Sequence, residues 1–110
     1  MKSFHTSVTD LRQDFANDFT TFPYECGWAD EAIYFITAEQ STPQSSRIQL
    51  ALQISADGIR WLDEGTTIEL AGPGEAFTRV SEFGGFLRLR GTVEGPEPRC
   101  TLTVRLALKG

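Results

Sequence analysis

The chain is poor in the residues on which most hydrolases and metal proteins rely. It holds one histidine, two cysteines and one methionine among 110 residues. A lone histidine, His5, close to a chain end excludes a histidine-based triad and a multi-histidine metal site. Cys26 and Cys100 lie far apart and match no metal-ligand spacing. Two small buried thiols are expected, with a disulfide from the N-terminal segment to the last strand as the alternative. No run approaches the roughly 20 apolar residues that span a bilayer. Met1-Lys2-Ser3-Phe4-His5-Thr6 lacks the apolar core of a secretory signal, so a cytoplasmic or virion- or assembly-associated location is expected. Positive charge is in deficit too: 10 Lys and Arg face 15 Asp and Glu, a net charge of −5. Nucleic acid and anionic membrane are therefore disfavoured as partners.

The carboxylates do not assemble a site by spacing alone. Asp30-Glu31 and Asp63-Glu64 are adjacent pairs, and neighbours on a strand point to opposite faces. Asp57, Asp63 and Glu64 surround one hairpin and offer hard oxygen ligands, but form no recognised calcium loop. Gly72-Pro73-Gly74 and Gly84-Gly85 carry no lysine and open no helix, so they read as turns rather than phosphate loops. No catalytic residue, metal or cofactor is expected.

What the chain does have is alternation. Hydrophobic residues make up 40% of it, and 10 glycines and 5 prolines punctuate short apolar runs. Ile48, Leu50, Leu52 and Ile54 alternate with Gln49, Ala51, Gln53 and Ser55, the pattern of a half-buried strand. Asp57-Gly58 then turns the chain back toward Trp61. Thr66–Leu70, Ala76–Val80, Leu87–Val93 and Thr101–Leu108 read as further strands, the last two joined by a hairpin loop over 94–99. The strand Ala32–Glu39 is apolar on both sides, with Ile33 and Phe35 on one and Ala32, Tyr34, Ile36 and Ala38 on the other. An antiparallel sandwich strand usually keeps one polar face, so something must cover the second: the N-terminal segment or another subunit.

Residues 1–31 differ from the remainder. Leu11, Phe15, Phe19 and Phe22 fall at helical spacing, and Asp10 with Gln13 can form a capping box. A short helix or an extended aromatic arm is expected over 1–31, and a sandwich over 32–110. The fold class is all-β: an antiparallel, jelly-roll-like sandwich of about seven or eight strands with that arm or helix.

Two kinds of side chain are candidates for recognition. Phe15, Phe19, Phe22, Tyr24 and Trp28 of the arm, with Tyr34 and Ile36, could bury against a partner. Arg88, Arg90 and Arg105 face outward by alternation; if the last two strands pair, these like charges crowd together and need an acidic partner. That partner is Glu69, Glu82 or another carboxylate of the chain, or an acidic surface elsewhere. Tyr34 and Phe86 could alternatively form an aromatic platform for a sugar ring.

The stretch Leu52-Gln53-Ile54-Ser55-Ala56-Asp57-Gly58-Ile59-Arg60-Trp61, followed by Gly85-Phe86-Leu87-Arg88-Leu89-Arg90, resembles the discoidin-like (galactose-binding-like) jelly-roll sandwiches. It is also similar to small β-sandwich modules of phage and prophage virion proteins. The resemblance spans residues 47–108 and implies the fold; the loops that carry ligand contacts in the discoidin-like proteins have no counterpart here. The expected function is a non-enzymatic structural or assembly module that forms a homo-oligomer or decorates another structural protein, as in a virion or protein shell. A carbohydrate-binding module is the second reading.

Overall fold

The computed structural model describes residues 3–110. Nine strands follow one another: β1 (Phe4–Ala16), β2 (Asp18–Thr20), β3 (Tyr24–Glu25), β4 (Glu31–Ala38), β5 (Arg47–Ser55), β6 (Leu62–Ala71), β7 (Gly74–Ser81), β8 (Phe86–Glu94) and β9 (Arg99–Lys109). All pairings are antiparallel and nested: β1 with β9, β2 and β3 with β8, β4 with β7, and β5 with β6. Two further ladders, β4 with β9 and β5 with β8, roll this long hairpin into two sheets. Their orders are β1-β9-β4-β7 and β2-β8-β5-β6, with β3 also on β8. With β2 and β3 taken as one broken strand, this is an eight-strand jelly roll.

Alternation decides which side chains fill the gap between the sheets. Tyr34, Ile36, Leu102, Val104, Leu106 and Leu108 enter from one sheet and Ile48, Leu50, Leu52, Leu87 and Leu89 from the other, all almost completely buried. Each carries an apolar branch or ring, worth roughly 1.5–3 kcal/mol when fully removed from water.

The described residues of the N-terminal segment form no helix. β1 runs 13 residues along the open edge of β9, from Phe4 opposite Lys109 to Ala16 opposite Arg99. Pairing there satisfies a row of backbone groups that β9 would otherwise leave open, which outweighs the apparent helical spacing. Asp10 caps nothing; its carboxylate accepts the Phe22 amide at 3.2 and 3.3 Å and ties β1 to the break between β2 and β3. Within residues 3–31, β1 joins one sheet and β2 and β3 join the other. The accessible surface, 6331 Å², is close to the roughly 6,100 Å² expected of a compact chain of this mass.

β8 and β9 do not form a hairpin either. Each completes a different sheet, and the 95–98 loop arches between them. Ser46 anchors this arch: its hydroxyl shares its one proton between the carbonyls of Glu97 and Arg99, each 2.9 Å away. The β5–β6 connection is longer than a two-residue turn, running from Ala56 to Trp61. The Asp57 Oδ1 accepts the amides of Ile59 at 2.8 Å and Arg60 at 2.9 Å, an Asx turn that shapes the loop. Gly65, at φ 117°, sits in the bulge where Ala51 faces Thr67 but Gln53 faces Asp63.

Candidate interaction surface

Register places one row of side chains straight across the outer face of the β1-β9-β4-β7 sheet. Val8 lies opposite Arg105, Arg105 opposite Phe35, and Phe35 opposite Phe77. The neighbouring row is Thr6, Ala107, Ile33 and Arg79. The Phe35 and Phe77 rings stand 6.3 Å apart, and the Arg79 guanidinium lies 5.2 Å from the Phe77 ring centre. Phe35 keeps 41% and Phe77 55% of their surface open to solvent. Phe35, Phe77 and Arg105 border a shallow groove of about 330 Å³.

The outer end of this face is closed by the chain itself. Thr103 donates to Glu39 at 2.5 Å and Thr101 to Asp14 at 2.6 Å, and both threonines are buried although they sit on the outward register. Arg105 has no such partner. Among the described residues the ion pairs are Arg90–Asp63 and Arg99–Glu97, so the Arg105 charge stands free beside two phenylalanines.

β4 is thus apolar on both sides, as expected, but its inward side is the reverse of a surface. Tyr34 is 0% and Ile36 1% exposed. Neither can meet a partner, and the outward residues Ile33 and Phe35 take that place. The N-terminal segment does not cover them, because it pairs with the β9 edge rather than lying over β4. The sequence placed Phe35 and Ile33 on one side of the strand without showing which side faces out, and took Tyr34 and Ile36 for the interface; nothing in Ala76–Val80 fixes the register of Phe77 against β4.

The three arginines do not converge. Arg88 and Arg90 lie on the outer face of the opposite sheet from Arg105. They are engaged there: Arg88 Nε donates to Gln53 Oε1 at 2.8 Å, Gln53 Nε2 donates to Asp63 Oδ1 at 2.9 Å, and Arg90 reaches Asp63 Oδ2 at 3.6 Å. Trp61 lies beneath Arg88, 4.2 Å from its guanidinium carbon, rather than in the core. Burial first, and then the Arg90 charge, lower the Arg88 pKa from its ordinary value. The acid that serves these arginines is Asp63, not Glu69 or Glu82.

The N-terminal aromatics divide. Phe15 and Phe19 stack at 4.3 Å and pack on the core from the β1–β2 crossing. Phe19 lies over Gly91, where an added Cβ would come within 2.2 Å of its ring. Tyr24 packs on the core, and its hydroxyl is 2.8 Å from Ser7 Oγ, itself 2.8 Å from His5 Nε2. Phe22 and Trp28 remain exposed.

A Tyr34–Phe86 sugar platform is not formed. Tyr34 is inside the core, and the half-buried Phe86 ring packs under Gly58 of the Asx turn. Among the described residues no three His, Cys, Asp or Glu side chains group closely enough to hold a metal ion. Cys26 and Cys100 are free and buried. Burial, then the Glu25 charge, pushes the Cys26 thiol up to about 12; burial, then Asp14, pushes Cys100 up to about 11. The Tyr34 hydroxyl is raised further, by burial and then by Cys26 and Asp10. No helix among the described residues is long and apolar enough to cross a membrane.

No protein-family model and no curated protein matches the chain. Solved structures do. The SPBc2 prophage-derived protein YomS superposes with a TM-score of 0.65 at 10% identity, over 100% of this chain and 96% of its own. The VP2 subviral particle of infectious bursal disease virus gives 0.66 at 8% identity, over 98% of this chain and 32% of its own. The PBSX exported protein XepA gives 0.61 at 8% identity, over 98% and 36%. The chain therefore spans about a third of XepA and nearly all of YomS. At such identities the shared feature is the fold: the antiparallel sandwich read from the sequence is the one these proteins have.

Proposed function

We propose that this protein is a structural module that assembles with copies of itself or with another structural protein, through the outer face of the β1-β9-β4-β7 sheet. The observation that carries the reading is the Val8–Arg105–Phe35–Phe77 row, in which an arginine outside both ion pairs lies between an exposed valine and two exposed rings. Aromatic side chains and arginine are enriched where proteins meet, because they bury large areas at low entropic cost. A sheet face is also flat and rigid, so little ordering is needed on contact. The likeness to the VP2 subviral particle of a virus, to a prophage-derived protein and to the PBSX exported protein XepA agrees with this role. Hydroxyl-radical footprinting of dilute and concentrated solutions tests it. Phe35 and Phe77 should become protected on concentration, or on adding a candidate partner, while Phe22 stays labelled; equal labelling of both rings at every concentration, with and without a candidate partner, contradicts the reading.

A further inference from the structure

The two sheets leave four edges, and three of them are guarded. β1 has register shifts after Val8 and after Asp10, with Arg12 in the left-handed region at φ 44°. β6 is broken by the bulge at Gly65. The edge beside β8 is divided between the short β2 and β3. Bulges and breaks of this kind stop a second chain from pairing with an open edge. β7 has neither. It runs against β4 without a register shift, from Gly74 opposite Ala38 to Ser81 opposite Glu31, and contains no proline. It ends its sheet, and no backbone group of 74–81 bonds to a turn or loop of the described residues. A row of its amides and carbonyls therefore faces away from β4 with no strand beside it.

The charges of this strand are placed symmetrically. Glu75, Phe77 and Arg79 follow one another on the outer face, and all three are exposed. A two-fold axis at Phe77 brings the strand against its own image, antiparallel. Phe77 then falls opposite Phe77 of the second copy, and Glu75 opposite Arg79 at both ends. Aromatic pairs and opposite charges are cross-strand neighbours that stabilise an antiparallel ladder. The inner row sets Ala76 against Thr78 and Gly74 against Val80, with no charge in it. A slip of two residues one way sets Arg79 against Phe77 and Glu75 against Ser81. The opposite slip sets Glu75 against Phe77. Either slip loses both charge pairs. Neither charge is held in an ion pair of the described residues. Glu75 accepts a 3.3 Å hydrogen bond from Thr37, and Arg79 lies 5.2 Å from the Phe77 ring centre, in one cleft with Glu64.

We infer that β7 pairs edge to edge with β7 of a second copy of this chain, antiparallel and centred on Phe77, so that two four-stranded sheets become one. The contact is isologous and closes as a pair. It lies beside the proposed face rather than over it, and sets two Phe35–Phe77 surfaces side by side. The two contacts therefore stand or fall separately.

Charge exchange tests the pairing. Glu75→Arg sets arginine against arginine at both ends of the seam, and Arg79→Glu sets glutamate against glutamate. Both positions are solvent-exposed, and a thermal melt close to that of the parent chain confirms folding. By native mass spectrometry the parent should be a two-chain species. Each single variant should pair about tenfold more weakly. The equimolar mixture of the two, and the double variant Glu75→Arg with Arg79→Glu, should both recover the parent's affinity. Phe77→Cys reads the register independently, because opposed residues of an antiparallel ladder lie within disulfide reach. Mild oxidation should link two Phe77→Cys chains, whereas Phe22→Cys, exposed beside β1, should stay unlinked; Cys26 and Cys100 are buried and do not compete. Single charge variants that pair like the parent, or a mixture that recovers nothing, overturn the register. A parent that stays one chain at every concentration overturns the edge pairing and leaves the covered face to the labelling of Phe35 with a partner.

Discussion

Tyr34 offers the sharpest test of the core. Its side chain is fully buried, and its hydroxyl has no hydrogen-bond partner among the described residues. A buried hydroxyl left unpaired costs about 1–3 kcal/mol, whereas removing it costs little if the ring stays in place. Tyr34→Phe keeps the ring that packs against Leu106 and its neighbours and deletes only the oxygen. The variant should gain about 1 kcal/mol. For a domain near this size that raises Tm by roughly 4–8 °C. Urea unfolding followed by Trp fluorescence, with the slope held equal between variants, gives the free energy, and calorimetry gives Tm. Tyr34→Ala is the control for packing and should lose about 3–5 kcal/mol. If Tyr34→Phe instead loses 1 kcal/mol or more, the hydroxyl is bonded and the reasoning fails.

Three further outcomes follow from the same geometry. Gly91→Ala forces a Cβ into the Phe19 ring and should cost about 1–3 kcal/mol; adding Phe19→Ala should make the pair less than additive, and strict additivity would mean the ring does not sit there. The Cys26 and Cys100 thiols are raised from 9.0 to about 12 and about 11, so the folded state keeps protons that the unfolded state releases. Their contribution to stability is whole below pH 9 and is lost as pH rises through that window; Cys26→Ala with Cys100→Ala should flatten the fall, and an unchanged slope in alkaline urea titrations would refute the burial. Asp57→Ala removes the acceptor that holds the Ile59 and Arg60 amides, so their hydrogen exchange should quicken while that of β5 is unaltered.

How much of this was legible in the sequence depended on whether alternation was local. β5 and β8 declared themselves, since Ile48, Leu50 and Leu52, and Leu87 and Leu89, are apolar at every second position and all are buried. The jelly-roll sandwich followed from the number and spacing of such runs. β1 was hidden because an edge strand needs only one apolar side, and its exposed Leu11 completed a false helical spacing with Phe15 and Phe19. The pairing of β8 and β9 was misread because adjacency in sequence favours a hairpin, while the arch over 95–98 sends them to different sheets. The candidate surface suffered most. Which side of a two-sided strand faces inward is settled by the neighbours it meets, so Tyr34 and Ile36 exchanged places with Ile33 and Phe35. The link between Arg105, Phe35 and Phe77 is a cross-strand register, which no single stretch of sequence contains.

The central claim is that the outer face of the β1-β9-β4-β7 sheet is made to be covered by another chain. Sedimentation of the unmodified protein over a dilution series measures this most directly. The account predicts a mass above that of one 12.2 kDa chain, reached by the protein alone or on adding the structural protein it joins, that falls on dilution or with added salt. A single 12.2 kDa species at the highest concentration reached, both alone and with candidate structural proteins added, would contradict it.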